Sequence, residues 1–237
     1  MSRIPRTLAV PTGLLLLLTF SKNLEAVSPS LSGEYIILES SRPDEKASYS
    51  GRVSIHEQGP SLSVNWTLNS GEKYTGVGIL SGTVLGVGFG DGFSGLAVYK
   101  IAGNSLFAKW LLPTAPQQVG EYELTGSASL NGVYQFTNGT SGNVVIKPNG
   151  NVYDMVWNLP TGSYPGVGIR MGDTLVAVSG VTGHLYGVVA YNVTGGERLQ
   201  GVWTVAGQPG VGTEVLGTNE PPQTQDVAKP VPAAAGK

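Results

Sequence analysis

The chain has no cysteine among its 237 residues and only two histidines, and charged side chains make up 13% of it. Without cysteine there is neither a disulfide framework nor a lipid-modified anchor, so the fold rests on packing and hydrogen bonds alone. Transition-metal sites need several His, Cys or carboxylate ligands within reach. His56 and His184 stand apart in the sequence, and neither has a histidine at the matching point of the repeat described below, so no metal or other cofactor is expected. Basic residues are also scarce: 14 Lys and Arg face 16 Asp and Glu, and the first 26 residues hold Arg3, Arg6 and Lys22. Binding nucleic acid through its phosphates requires a basic face, so nucleic acid is excluded as a partner.

Catalytic signatures are missing too. There is no Gly-x-Ser-x-Gly elbow, no phosphate loop and no dinucleotide fingerprint between a strand and a helix. The run Gly86 to Gly95 has the composition of a phosphate cradle, but no helical pattern follows it. Asp91, Asp154, Asp173, Glu57 and Glu72 fall at turns or on polar strand faces, and nothing pairs them for acid–base work. No catalytic residue is assigned, and a non-enzyme is expected.

No hydrophobic run is long enough for a comfortable helical membrane span. The longest, Leu8 to Phe20, is interrupted by Pro11 and Gly13, follows Arg3 and Arg6, and leads into the polar stretch Ser21 to Ala26. That order of basic, apolar and polar segments is the layout of a secretory signal peptide, with cleavage expected after Ala26 and no integral span remaining. At the other end, residues 219–237 hold Pro-Pro-Gln and Lys-Pro-Val-Pro-Ala-Ala-Ala without apolar periodicity, the composition of a disordered tail.

What the chain does have is glycine, 35 of them, together with Val, Ile, Tyr and Trp in short runs. It also has a repeat. Tyr74-Thr75-Gly76-Val77-Gly78-Ile79 returns as Tyr164-Pro165-Gly166-Val167-Gly168-Ile169. The two Tyr are 90 residues apart, Trp66 and Trp157 are 91 apart, Tyr99 and Tyr191 are 92 apart, and Trp110 and Trp203 are 93 apart. An offset that drifts by single residues is the mark of a duplicated unit with small loop changes. The organisation is therefore a signal peptide (1–26), a first β repeat (27–126), a second β repeat (127–218) and the tail (219–237).

Within each repeat, strand signals recur between turn-rich steps. Leu62-Ser63-Val64-Asn65-Trp66-Thr67-Leu68 alternates apolar and polar residues, the pattern of a half-buried strand. Its counterpart keeps Trp157 on an apolar face with Tyr153, Met155 and Leu159. The expected class is all-β: two tandem repeats of about seven to eight short antiparallel strands each, in a small barrel or sandwich without disulfides. Spacing does not decide whether each repeat closes on itself or both share one larger barrel.

Val77 and Ile79 point one way along the repeated phrase, and Tyr74, Gly76 and Gly78 the other. The bare glycine face needs something close enough to use the room: an aromatic ring from a neighbouring strand, sharp sheet curvature, or a ligand. Tyr74, Gly76, Gly78, Tyr164, Gly166, Gly168 and Tyr186 are accordingly the candidate ligand-binding residues.

One resemblance goes further. Ser50-Gly51-x-Val53-x-Ile55, Trp66, Tyr74-x-Gly76-x-Gly78-Ile79-Leu80, Leu85, Val98-Tyr99-x-Ile101 and Leu106 resemble the small secreted bacterial domain commonly labelled fibronectin-binding-protein-like. The echo Leu199-x-Gly201-x-Trp203 and Gly212-Thr213-Glu214-x-Leu216 carries the same pattern, so the similarity spans Gly33 to Leu216 as two copies. The first copy departs from it at Ala108, where glycine is usual, and at Gly120-Glu121-Tyr122. The resemblance implies a bacterial envelope or secreted protein, without naming a partner.

Three functional readings follow. The leading one is an exported, non-enzymatic binding or adhesion protein that takes an extracellular or envelope protein, with exposed sheet edges accepting an extended strand. The second is a small-molecule carrier with a cavity inside a barrel, which a barrel packed solid by Trp66, Trp110, Trp157 and Trp203 would exclude. The third is a structural envelope component.

Overall fold

A computed structural model describes residues 30–43, 47–194 and 198–218. The segment expected to be a signal peptide (1–26) and the tail expected to be disordered (219–237) lie outside the described residues. Among those described, the chain is all-β, with sixteen antiparallel strands and no helix. In order they are β1 (Gly33–Ser41), β2 (Gly51–Gln58), β3 (Ser61–Leu68), β4 (Lys73–Ser81), β5 (Val84–Phe89), β6 (Phe93–Ala102), β7 (Ser105–Leu111) and β8 (Gly120–Thr125). The second repeat supplies β9 (Gly132–Phe136), β10 (Asn143–Asn149), β11 (Val152–Leu159), β12 (Gly162–Met171), β13 (Thr174–Gly180), β14 (Gly187–Thr194), β15 (Arg198–Val205) and β16 (Gly212–Gly217).

These strands close into two eight-stranded barrels, and the barrels are not the repeats. The first barrel joins β1 to β5 with β14, β15 and β16; the second is the continuous run β6 to β13. Each therefore takes five strands from one repeat and three from the other, and the second barrel is inserted between β5 and β14. The cause is visible at the crossovers. After Phe89 the chain turns through Gly90, Asp91 and Gly92 into the other barrel, and after Gly180 it returns through Val181 to Tyr186. The two links are bonded to each other by Gly92 N to Leu185 O at 2.9 Å and Val181 N to Gly92 O at 2.8 Å. Gly90, at φ 104°, has room for no side chain, since a Cβ would lie 2.3 Å from Leu185 O.

Alternation sorts the side chains. In β3, Leu62, Val64, Trp66 and Leu68 all face the first barrel's interior, as their spacing predicts, and Met155 and Trp157 do the same in the second. The opposite faces of β4, β5, β6, β12, β13 and β14 pack barrel against barrel in a third apolar cluster, including Ile79, Val98, Val167, Ile169, Val176, Val178 and Val188. Val77 and Ile79 thus face a core, but it is the one between the barrels.

That seam explains two of the glycines. Gly86 and Val176 occupy equivalent positions in the two repeats, as do Gly88 and Val178, and the structure brings each pair face to face. A Cβ on Gly86 would lie 2.6 Å from Val176 Cγ1, and one on Gly88 would lie 2.5 Å from Phe93 Cε2 and 2.9 Å from Val178 Cγ1. Where equivalent residues meet across a pseudo-twofold arrangement, two valines would collide. One side is glycine and the other fills the space.

Candidate functional site

Each barrel is stoppered at one end and open at the other. At the closed ends Leu31 and Leu130 are buried plugs, tied in by Tyr35 Oη donating to Leu31 O at 3.0 Å and by Tyr134 Oη donating to Ser127 O. At the open ends lie two cavities, of about 150 Å³ in the first barrel and about 550 Å³ in the second. The first is lined by Tyr49, Trp66, Tyr74, Phe89, Trp203 and Glu214 among others, the second by Trp110, Tyr122, Phe136, Trp157 and Tyr164. All four tryptophans sit in these mouths, and they do not pack the barrels solid.

The repeated phrase positions the mouths. A Cβ on Gly76 would lie 3.1 Å from Trp66 Cζ3, and one on Gly166 would lie 2.6 Å from Trp157 Cζ3. The ring expected over the glycine face is thus the tryptophan of the adjacent strand, β3 on β4 and β11 on β12, settled inside each barrel. Gly78 and Gly168 lie deeper, against Leu85 and Val87 in one barrel and Leu175 and Met155 in the other. Tyr74 and Tyr164 stand in the mouth walls. Tyr186 is not with them: it is 6% exposed in the cluster between the barrels, where its ring covers Gly180.

The polar floor differs between the barrels. In the first, Glu214 is 2% exposed, and its Oε1 accepts hydrogen bonds from Trp66 Nε1 at 3.1 Å and from Tyr191 Oη. Its Oε2 accepts from Tyr49 Oη at 3.0 Å. Burial holds the Glu214 carboxyl above the usual carboxylate range, and the bonds from Tyr191, Trp66 and Tyr49 draw it part of the way back. Burial, then the neighbouring Glu214, pushes the Tyr191 phenol well up. In the second barrel Tyr122 takes the place of Glu214. Trp157 Nε1 donates to Tyr99 Oη at 2.9 Å, and Tyr99 Oη lies 2.6 Å from Tyr122 Oη. The same Trp–Tyr pair therefore meets a carboxylate in one barrel and a phenol in the other. Tyr191 reaches Glu214 because it lies over Gly201, where a Cβ would come within 2.5 Å of its ring.

No protein-family model and no curated protein matches the chain.

The larger second cavity follows from smaller residues at equivalent points. Ser179 stands where the first barrel has Phe89, Ala97 where it has Val189, and Thr140 where it has Tyr49. Phe89 fills the first mouth by packing on Trp66, with ring centres 5.9 Å apart, and on Tyr74 at 6.1 Å. At the rim, Arg42 stands 5.8 Å from the Tyr49 ring centre and pairs with Glu72 at 3.3 Å. Trp203 Nε1 is the buried side-chain donor without a hydrogen-bond partner among the described residues.

Closure also bears on strand addition. The first barrel's last seam, β1 to β16, is paired at five positions, whereas β8 to β9 is paired only at Leu124 with Phe136 and Thr125 with Gln135. Among the described residues, β8 around Glu121 is one stretch of strand edge that this seam leaves without a ladder partner. Glu214 was missed as a site residue, although Gly212, Glu214 and Leu216 alternate along one strand and so put a carboxylate on the inward, apolar face.

Proposed function

We propose that this chain is an exported, non-enzymatic binding protein whose ligand sites are the two barrel mouths, each taking a small and largely apolar molecule. One observation carries the reading: both barrels are plugged at one end and open at the other onto an aromatic-lined cavity floored by a buried hydrogen-bonded network. Small barrels hold ligands in this way, with a mostly apolar wall and a few fixed polar groups for orientation. The second cavity, at about 550 Å³, falls in the ordinary size range of small-molecule pockets. The first admits only a compact group. The basic–apolar–polar leader and the resemblance to the fibronectin-binding-protein-like domain support export to a bacterial envelope or beyond.

The test is a fragment screen read on the four tryptophan indole N–H signals of nitrogen-15-labelled protein. Saturable shifts at Trp66 and Trp203, or at Trp110 and Trp157, are expected for some fragments. A diverse library that moves none of the four would refute the reading. Adhesion by strand addition keeps one foothold, the sparsely paired β8–β9 seam, and a peptide bound there would shift β8 backbone amides rather than the indoles.

A further inference from the structure

If the mouths are ligand sites, as proposed above, the first has a chemistry the second lacks. Glu214 is 2% exposed, and the partners of its carboxylate are the neutral donors Tyr49, Trp66 and Tyr191. Among the described residues, no Lys, Arg or His pairs with it. A buried carboxylate without a counter-charge is costly to keep ionised, and a cation arriving in the cavity would relieve that cost.

The wall above it is made of rings. Tyr49, Trp66, Tyr74, Phe89 and Trp203 surround the cavity, and the faces of aromatic rings carry negative potential. Several such rings around one small space form the arrangement that recognises alkylated ammonium groups, and a carboxylate at the base adds a full charge of the right sign. At about 150 Å³ the cavity is the size of one that holds a benzene ring, which suits a compact cationic head. The competing cation at the rim, Arg42, is already matched by Glu72 at 3.3 Å. The second mouth is also lined by rings, but no buried carboxylate floors it: Tyr122, Ser179 and Thr140 replace Glu214, Phe89 and Tyr49, and its one carboxylate, Glu121, is exposed to solvent.

We infer that the first barrel mouth binds a small organic cation, an ammonium group bearing short alkyl substituents, between the Glu214 carboxylate and the surrounding rings. The second mouth does not share this preference, and residue 214 with its counterpart 122 sets the difference.

The test uses the full mature chain and two probes of nearly equal shape, choline and its neutral carbon isostere dimethylbutanol, at matched ionic strength. Choline is expected to shift the Trp66 and Trp203 indole signals saturably, to leave Trp110 and Trp157 in place, and to bind about tenfold or more tightly than dimethylbutanol. Glu214→Gln is expected to abolish that ratio. Should this variant fail to fold, the wild-type ratio and the contrast between the two tryptophan pairs decide the matter. Equal affinity for the two probes overturns the inference and leaves the mouths as ligand sites, as does a library in which neutral fragments bind at Trp66 and choline does not. Equal shifts at all four indoles also overturn it. If nothing in the library binds either mouth, the functional reading fails as well.

Discussion

Exchanging the residues that meet between the barrels perturbs the fold at the contact that sets its arrangement. In Gly86→Val the new Cβ would lie 2.6 Å from Val176 Cγ1 and 2.7 Å from Val98 Cγ2. Both valines are fully buried, and β-branched side chains on strands have little rotamer freedom with which to yield. Overpacking of this kind costs about 1–3 kcal/mol. Val176→Gly errs in the other direction: it forfeits about 1.5–3 kcal/mol of burial and adds roughly 0.5–1 kcal/mol for glycine in a strand. The double variant restores one valine between the two strands, now carried by the other barrel. Its destabilisation should fall short of the sum of the singles by about 0.5–3 kcal/mol. Urea unfolding followed by tryptophan fluorescence measures all four proteins, since every tryptophan reports from inside a barrel. Single effects that add to within roughly 0.5 kcal/mol would show that these residues do not meet and would refute the interleaved packing.

Other expectations concern the barrel interiors. Gly166→Ala sets a Cβ 2.0 Å from Val178 O, a backbone atom that cannot step aside, whereas in Gly168→Ala the nearest atoms are Leu175 Cδ1 and Met155 Sδ at 3.1 Å. The first substitution should therefore cost more than the second in urea unfolding, by about 1 kcal/mol or more. Glu214 should leave a signature in the pH dependence of stability. A carboxyl whose folded-state pKa lies above its unfolded value makes the folded state the better proton acceptor, so its contribution is greatest below the unfolded range and falls as pH rises through the folded value. The stability of wild type relative to Glu214→Gln should accordingly decline from about pH 4 upward, and a difference independent of pH would contradict the burial argument. Trp66→Phe removes the indole donor to Glu214 and should destabilise by about 1.5–3 kcal/mol, the range for hydrogen bonds to charged groups, as measured by the same unfolding curves.

The sequence pattern carried the local structure well and the connectivity poorly. The alternation of Leu62, Val64, Trp66 and Leu68 specified a strand and its inward face, and the bare glycines marked a close approach, which a tryptophan ring makes at Gly76 and Gly166 and aliphatic side chains and Met155 make at Gly78 and Gly168. Gly90-Asp91-Gly92 gave no such guidance: a short Gly-Asp-Gly link between two strands reads as a hairpin turn, yet here it carries the chain into the other barrel. Whether such a link pairs its flanking strands or parts them depends on contacts such as Gly92 N to Leu185 O, nearly a hundred residues away in sequence. Tyr186 was misleading for a related reason, because an aromatic beside a glycine-rich turn is as well suited to an inter-barrel seam as to a ligand. Glu214 could have been recognised from its place between Gly212 and Leu216. The difference in cavity size could not, since Phe89 and Ser179 are compared as mouth residues only once β5 and β13 are known to belong to different barrels.

Fragment soaking into crystals of the protein tests most directly whether the barrel mouths are the ligand sites. Ordered fragments are expected against Trp66 above Glu214, against Trp157 above Tyr122, or in both places, with the plugged ends at Leu31 and Leu130 left unchanged. Fragments found only on outer surfaces, with both mouths holding water alone, would contradict that account.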